Sequence, residues 1–342
     1  MDILQTLQAL NACHGPAGDE SQVAAKLQEL AAPYVDECTV DTLGNLICHK
    51  KGSGPKVMFA AHMDSIGFIV THIDDKGFLR FGQLGGLPAN DLPGTPVRFK
   101  NGTCGTVAQE GQRKTGDEPK KRRIDDLFLD IGAEDRAEAE ALVQIGDTAV
   151  YDVPARRSGE RIFSPYTDNR ISCVVLLMAL ERLKESSNDL YFVFTVQEEL
   201  GLRGARTAAY GIDPDYGIAV DVTVAGDTPE AAHGYSSAAG KGAAIKVMDN
   251  SVVCHPAVVA RMEDLAKAQG IAYQRDVIRS GGTDAGAIHQ TRRGVYTGGI
   301  SIPCRYTHSP VEMVDCRDVE ACAALVAAFA QDNTLQKRVE NL

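Results

Sequence analysis

Two apolar runs, VMFAA at 57–61 and YFVFTV at 191–196, limit the folds open to this chain more than any other feature. Neither alternates polar with apolar residues over its length. Each therefore predicts a strand buried on both faces, as found in sheets covered by helices on each side. Both runs also end on ionisable residues, His62-Met63-Asp64 after the first and Glu198-Glu199 after the second. Adjacent carboxylates raise one another's pKa where water is scarce, so a buried strand that leads into two of them implies a compensating partner.

The surrounding pattern supports an α/β chain. Ile3, Leu4, Leu7 and Leu10 recur at helical spacing, as do Val23, Leu27 and Leu30, so two amphipathic helices open the sequence. NLICHKKG and KVMFAAHMD read as strands, DNRISCVVLLMALERLK (168–184) as a helix, and DLYFVFTVQEE and DYGIAVDVT as further strands. The expected architecture is a mixed central sheet between helical layers. Between about 70 and 163 the texture changes to short pieces such as GFLRFGQL, TPVRFKNG, TCGTVAQE and DTAVYDV, with one helical stretch, EDRAEAEALVQI. This predicts a small β-rich domain over 71–163, inserted into a main domain made of 1–70 and 164–342.

At 342 residues the chain is long enough for more than one domain, and its 44% hydrophobic and 24% charged residues suit a soluble globular protein. A formal net charge of −11 argues against nucleic acid or an anionic membrane as the main partner. RKTGDEPKKRR (113–123) is locally basic, but Asp117 and Glu118 interrupt it, and it reads as a solvated loop. Nine cysteines without a CxxC pair suggest a reducing compartment and thiols used as small core residues. The start of the chain lacks a signal-peptide pattern, and CVVLLMAL (173–180) is too short to cross a bilayer, so a cytoplasmic location is expected.

The acid pair belongs to a series. His62 follows a buried strand, Asp168 stands at the start of a helix, Asp221 ends the strand YGIAVDV, and His308 lies in RYTHSP. Ligand sites in open α/β sheets gather outside the carboxyl ends of strands, where three predicted strands deliver His62, Glu198/Glu199 and Asp221. Carboxylates meeting there need cations, and two divalent ions sharing a bridging carboxylate satisfy them in a way suited to hydrolysis. Alternation along a strand predicts that Glu198 and Glu199 point to opposite sides, one to ligate and one to face water. A single histidine at a strand end is more often structural, and SGGTDAG (280–286) alone reads as a flexible loop; the ordered set carries the argument. The other histidines, 14, 49, 72, 233, 255 and 289, are assigned to structure or surface.

The segments AAHMDSIGFIV, TDNRISC, VQEELGLRGA, AVDVT, SGGTDAGAIH and SIPCRYTHSPVEM occur in the order of a known family. Through them the chain resembles the glutamyl and deblocking aminopeptidases, two-metal peptidases that often assemble as tetrahedral dodecamers. The resemblance implies a two-metal exopeptidase fold whose insert, placed in the 106-residue step from His62 to Asp168, is a PDZ-like dimerisation domain. It implies that His62 and Asp221 hold one metal, Glu199 and His308 the other, and that Asp168 bridges them. Asp64 would orient the His62 imidazole, and Glu198 would be the general base that takes a proton from the bridging water. The ions implied are zinc or cobalt, with manganese as a further option. The implied substrates are short peptides and the implied assembly a homo-oligomer built from dimers. Ser65 departs from the glutamate common in the family after HMD, which changes pocket polarity and leaves the ligands intact.

Other chemistries stay open at the level of sequence. A carboxypeptidase or deacylase would use the same metal pair, and a free-amine peptide assayed beside its acetylated form separates these from an aminopeptidase. Paired carboxylates also serve glycoside hydrolysis, which has no need of two histidines in the cluster and would survive a chelator. A scaffold with a degenerate site is opposed by the complete ligand set.

Overall fold

The computed structural model describes residues 1–111, 122–229, 231 and 234–338. Of the 113–123 segment only Arg122 and Arg123 fall among them, and His233 lies outside the described residues.

The two apolar runs lie side by side as parallel strands, Lys56–His62 and Asp189–Thr195. Pleating sends alternate side chains to opposite faces. Val57, Phe59 and Ala61 join a large core on one face, while Met58 and Ala60 join a smaller one on the other. Tyr216–Val224 pairs in parallel with Lys56–His62 on its free side, and Tyr296–Arg305 runs parallel beyond it. Antiparallel strands extend both ends of this four-strand centre. Leu46–Lys50 and Glu37–Val40 lie at one end, with Glu312–Asp315, Arg161–Ser164 and Arg156–Ser158 at the other. With Ala243–Met248 and Tyr273–Val277 the sheet has 11 strands and is mixed, as expected.

Helices cover both faces. Ile3–Ala12, Ser21–Ala31, Thr167–Arg182, Pro256–Gln269 and Cys316–Ala330 contribute to the large core. Arg203–Ile212 places Ala205, Ala208, Ala209 and Ile212 on the opposite face, an apolar stripe at i, i+3, i+4 and i+7.

The inserted region closes on itself. Gly67–Ile73, Leu79–Leu84, Pro96–Phe99, Cys104–Gln109, Leu127–Asp130 and Thr148–Tyr151 form a barrel around Phe68, Phe81, Phe99 and Leu129. Its strands run from Gly67 to Tyr151, where the sequence placed the insert at 71–163. The difference has two sources. Gly67 already pairs with Leu84, so the barrel begins as soon as the buried strand's loop ends. Arg161–Ser164 pairs instead with Glu312–Asp315 and belongs to the large sheet. Among the described residues no helix is long and apolar enough to cross a membrane. The nine cysteines are all free, and Cys48, Cys173, Cys254, Cys304, Cys316 and Cys322 are buried.

The central strands also open a crevice. Lys56–His62 and Tyr216–Val224 pair only as far as Ala60 opposite Ala219, whereas Tyr216–Val224 stays paired with Tyr296–Arg305 to its end. His62 and Asp221 are the residues two steps past that last pair, where the two strands part. Of the central parallel strands, the next in the chain after Lys56–His62 lies on one side of it and the one after that on the other. This reversal marks the carboxyl edge as the place for a site.

Candidate active site

Each element brings one acid or base to the crevice. His62 ends its strand, level with Thr195 on the neighbouring one. Asp221 comes from Tyr216–Val224, and His308 from the loop after Tyr296–Arg305. Asp168 sits in the irregular first turn of Thr167–Arg182, where Asp168 (φ −81, ψ 102) and Asn169 (φ −125, ψ 26) leave helical geometry. Left-handed backbone at Tyr166, Gln197, Tyr306 and His308 flanks these residues. Non-glycine residues adopt that region at a cost, and such positions cluster at functional sites.

The side chains converge. His62 Nε2 lies 3.2 Å from Asp168 Oδ1, 3.7 Å from Asp221 Oδ1 and 3.9 Å from Glu198 Oε2. His308 Nε2 lies 3.2 Å from Asp168 Oδ2 and 3.3 Å from Glu199 Oε1. Asp168 thus offers one oxygen to each imidazole. Two sets of donors close to within 4.8 Å, namely His62, Asp168 and Glu199, and His62, Glu198 and Asp221. The structure therefore brings together His62, Asp168, Glu198, Glu199, Asp221 and His308, with Asp64 beneath them.

Charge in this cluster is unbalanced. Burial would lower the pKa of His62, but Glu198, Asp168, Asp64 and Asp221 outweigh it and push it well above the usual imidazole range. His308 is likewise raised against burial, to about 12, by its bonds to Asp168 and Glu199. Asp168 is driven down against burial by the two histidines. Glu198 and Asp221 are raised well above the carboxylate range, first by burial and then, against His62, by neighbouring acids. Two imidazoles do not neutralise four carboxylates. A nitrogen- and oxygen-rich donor set with surplus negative charge fits divalent cations.

Buried carboxylates just outside the cluster hold its loops by accepting backbone amides. Asp64 Oδ1 accepts from Glu198 N at 3.0 Å and its Oδ2 from Glu199 N at 3.2 Å. Asp64 also meets His62 Nδ1, through its backbone oxygen at 3.2 Å and its Oδ1 at 3.4 Å, so it orients the imidazole and the acid pair together. Glu312 Oε2 accepts from Thr167 Oγ1 at 2.6 Å and Asp168 N at 2.9 Å, while its Oε1 accepts from His308 N at 2.7 Å. Burial, then Asp168, pushes the pKa of Glu312 up to about 8. The barrel contributes as well. Gly86 O accepts from His308 Nδ1 at 2.9 Å, which leaves Nε2 for the acids. A Cβ at Gly85 would come within 2.8 Å of Glu199 Oε2, so the close approach and its φ of +75 both require glycine.

Two expectations change. Glu198 and Glu199 are not on a strand, which ends at Thr195; they lie in a turn beyond the left-handed Gln197 (φ 51). Val196 N is already taken by Asn45 Oδ1, so strand pairing cannot continue. The turn, not strand alternation, sends the two side chains to different imidazoles. SGGTDAG is also more than a loop, for Asp284 is buried and its Oδ2 accepts from Thr195 Oγ1 at 2.5 Å. Sequence reasoning assigned no role to Glu312 or Asp284, although both fall in the motif segments. A separate concavity, lined in part by Lys56, Asp213, His255 and Arg338, lies at the opposite edge of the central strands. Among the described residues, none of the candidate metal-holding groups falls in its lining.

The chain is a peptide-bond hydrolase, as three kinds of likeness show. The sequence profile of the M42 glutamyl aminopeptidases matches residues 44–325. A protein of Acetivibrio thermocellus is 46% identical over 95% of this chain and 97% of its own length. The lysyl aminopeptidase of Pyrococcus furiosus is 39% identical over 89% of each chain. Among solved structures, an aminopeptidase from the archaeon Desulfurococcus kamchatkensis superposes with a TM-score of 0.93 at 39% identity, covering 96% of this chain and 94% of its own. The TET1 peptidase of Pyrococcus horikoshii, described as assembling into a tetrahedron or a large octahedral shell, gives 0.86 at 30% identity, covering 97% and 100%. The chain belongs to the M42 glutamyl aminopeptidase family.

Proposed function

We propose that this aminopeptidase removes N-terminal residues from short peptides with two divalent cations per subunit, zinc or cobalt by donor type and manganese as a further option. The observation that carries the reading is the placement of Asp168, one oxygen 3.2 Å from His62 and the other 3.2 Å from His308. In this assignment His62 and Asp221 hold one ion, Glu199 and His308 the other, and Asp168 both. Such ions supply Lewis acidity toward the scissile carbonyl and lower the pKa of water.

The chain's own residues supply the rest. Glu198 is the donor farthest from its imidazole, 3.9 Å against 3.3 Å for Glu199, which favours it as base over ligand. Glu198 accepts the proton of the attacking water and returns it to the leaving amine. Burial raises its pKa, which makes the ionised carboxylate a stronger base. Asp64 and Glu312 keep the ligands in register, and Gly86 O holds the His308 ring. Assembly as a homo-oligomer built from dimers through the barrel belongs to the same reading, supported by the tetrahedral or octahedral shells into which the TET1 peptidase can assemble.

The test compares a free-amine peptide with its N-acetylated form before and after chelation. Cleavage of the first alone, lost on chelation and restored by metal, is expected. Equal cleavage of both peptides, or activity that survives chelation, would overturn the proposal.

A further inference from the structure

Glu20 lies outside residues 44–325 and outside every motif segment, yet it reaches the loop that carries the acid pair. It precedes the helix Ser21–Ala31, at the position where a side chain commonly accepts a first-turn amide. Among the described residues, none of that helix's own amides donates to the Glu20 side chain. Its Oε1 instead accepts from Gly18 N at 2.7 Å and from Gln197 N at 3.1 Å.

The bond to Gln197 completes a series. Asp64 takes the next two amides, Glu198 N and Glu199 N. Three successive amides, 197 to 199, therefore each end on a carboxylate from outside the loop. Gln197 is the left-handed residue of this turn, the one whose backbone most needs an external hold. The hold is rigid, because the helix after Glu20 buries Val23, Ala24, Leu27 and Ala31 in the large core. Glu20 is itself only 6% exposed. A carboxylate taken from water is costly unless donors receive it, and the donors here belong to its own turn and to the site loop.

We infer that Glu20 is a positioning residue, which fixes the Gln197 amide and thereby the stance of the Glu198 carboxylate toward His62 and Asp221. The inference rests on the proposed role of Glu198. It requires an acceptor at the position of Oε1 and does not require a charge there.

Three variants separate reach from charge, read by amide hydrogen exchange of a peptic fragment spanning 196–202 and by steady-state kinetics on a free-amine peptide. Glu20→Ala should speed exchange at Gln197 at least tenfold and lower kcat about 10–100-fold, as losses of outer partners do, with KM within twofold. Glu20→Gln keeps reach and acceptor, so its exchange and kcat should stay within threefold of wild type. Glu20→Asp keeps charge but falls short by a methylene, and should resemble Glu20→Ala. Should Glu20→Ala fail to fold, the order of the other two decides. Unchanged exchange or kcat in Glu20→Ala, or a Gln variant no better than the Asp variant, would overturn the inference. A wild-type enzyme without aminopeptidase activity would sink the functional proposal first, whereas an active wild type with indifferent variants sinks this inference alone.

Discussion

At the scale of single residues, Glu198 and Glu199 share a turn and, in the proposed mechanism, have different jobs. Glu198→Gln keeps size and one acceptor but cannot take a proton. We expect kcat to fall about 10²–10⁴-fold, the usual worth of general acid–base catalysis, with metal content near wild type. Glu199→Gln removes an anionic donor 3.3 Å from His308, so metal should bind more weakly and excess metal should partly restore the rate. Metal analysis and kinetics of both variants check this, and the opposite pattern would reverse the two roles. His14 gives a prediction on stability. It is fully buried, with Nε2 2.7 Å from Thr148 Oγ1, and burial lowers its pKa to about 4 despite Asp19. The unfolded chain binds a proton below the ordinary value of 6.5 while the folded chain does not. Stability is therefore full above that pH and is lost as pH falls from 6.5 toward 4. Relative to His14→Gln, wild type should lose about 2 kcal/mol between pH 7 and pH 5, at 1.36 kcal/mol per pH unit below 6.5. Parallel denaturant titrations at the two pH values would show it.

At the scale of elements, the convergence of the proposed ligands was legible because they stand at or near the limits of apolar elements. His62 ends a buried strand, the acid pair follows another and Asp168 opens a buried helix, whereas Asp221 does not end its strand but lies inside Tyr216–Val224, just past the last pair with Lys56–His62. The turn after Thr195 was not legible, since what ends that strand is Asn45, about 150 residues earlier in the chain, capturing Val196 N. Glu20, Asp64 and Glu312 act through backbone amides, and a sequence does not show where amides point. Asp64 entered only through the family resemblance, as a partner of the His62 imidazole, and its hold on the Glu198 and Glu199 amides was not legible. The insert's limits were blurred for a similar reason, as Arg156–Ser158 and Arg161–Ser164 have short-strand texture but pair across the large sheet. Glu312 tests this level of organisation, for it ties the helix of Asp168 to the loop of His308 with both oxygens. Glu312→Gln offers one acceptor where two are used and turns an NH₂ toward a donor. We expect metal affinity or activity to drop about 10–100-fold, measured by calorimetric metal titration and kinetics. Wild-type values would mean that the two elements hold register without it.

At the scale of the whole molecule, the barrel has two relations to the sheet. It supplies Gly85 and Gly86 at the site, and Tyr151 OH donates to His308 O at 3.3 Å. In the proposed assembly it also makes the dimer contact. Replacing the insert with a short linker should then leave a smaller species by size exclusion with light scattering, and should impair the site as well. An unchanged number of subunits would rule out the dimer role.

The central claim is that Asp168 is shared by two cations held between His62 and His308. Its most direct test is titration of metal-stripped enzyme with zinc or cobalt, with bound metal and turnover of a free-amine peptide followed together. The account predicts that turnover reaches its plateau at two bound ions per subunit, and that Asp168→Asn weakens the binding of both. Full turnover with no metal or with one ion per subunit, or loss of only one ion in Asp168→Asn, would contradict it.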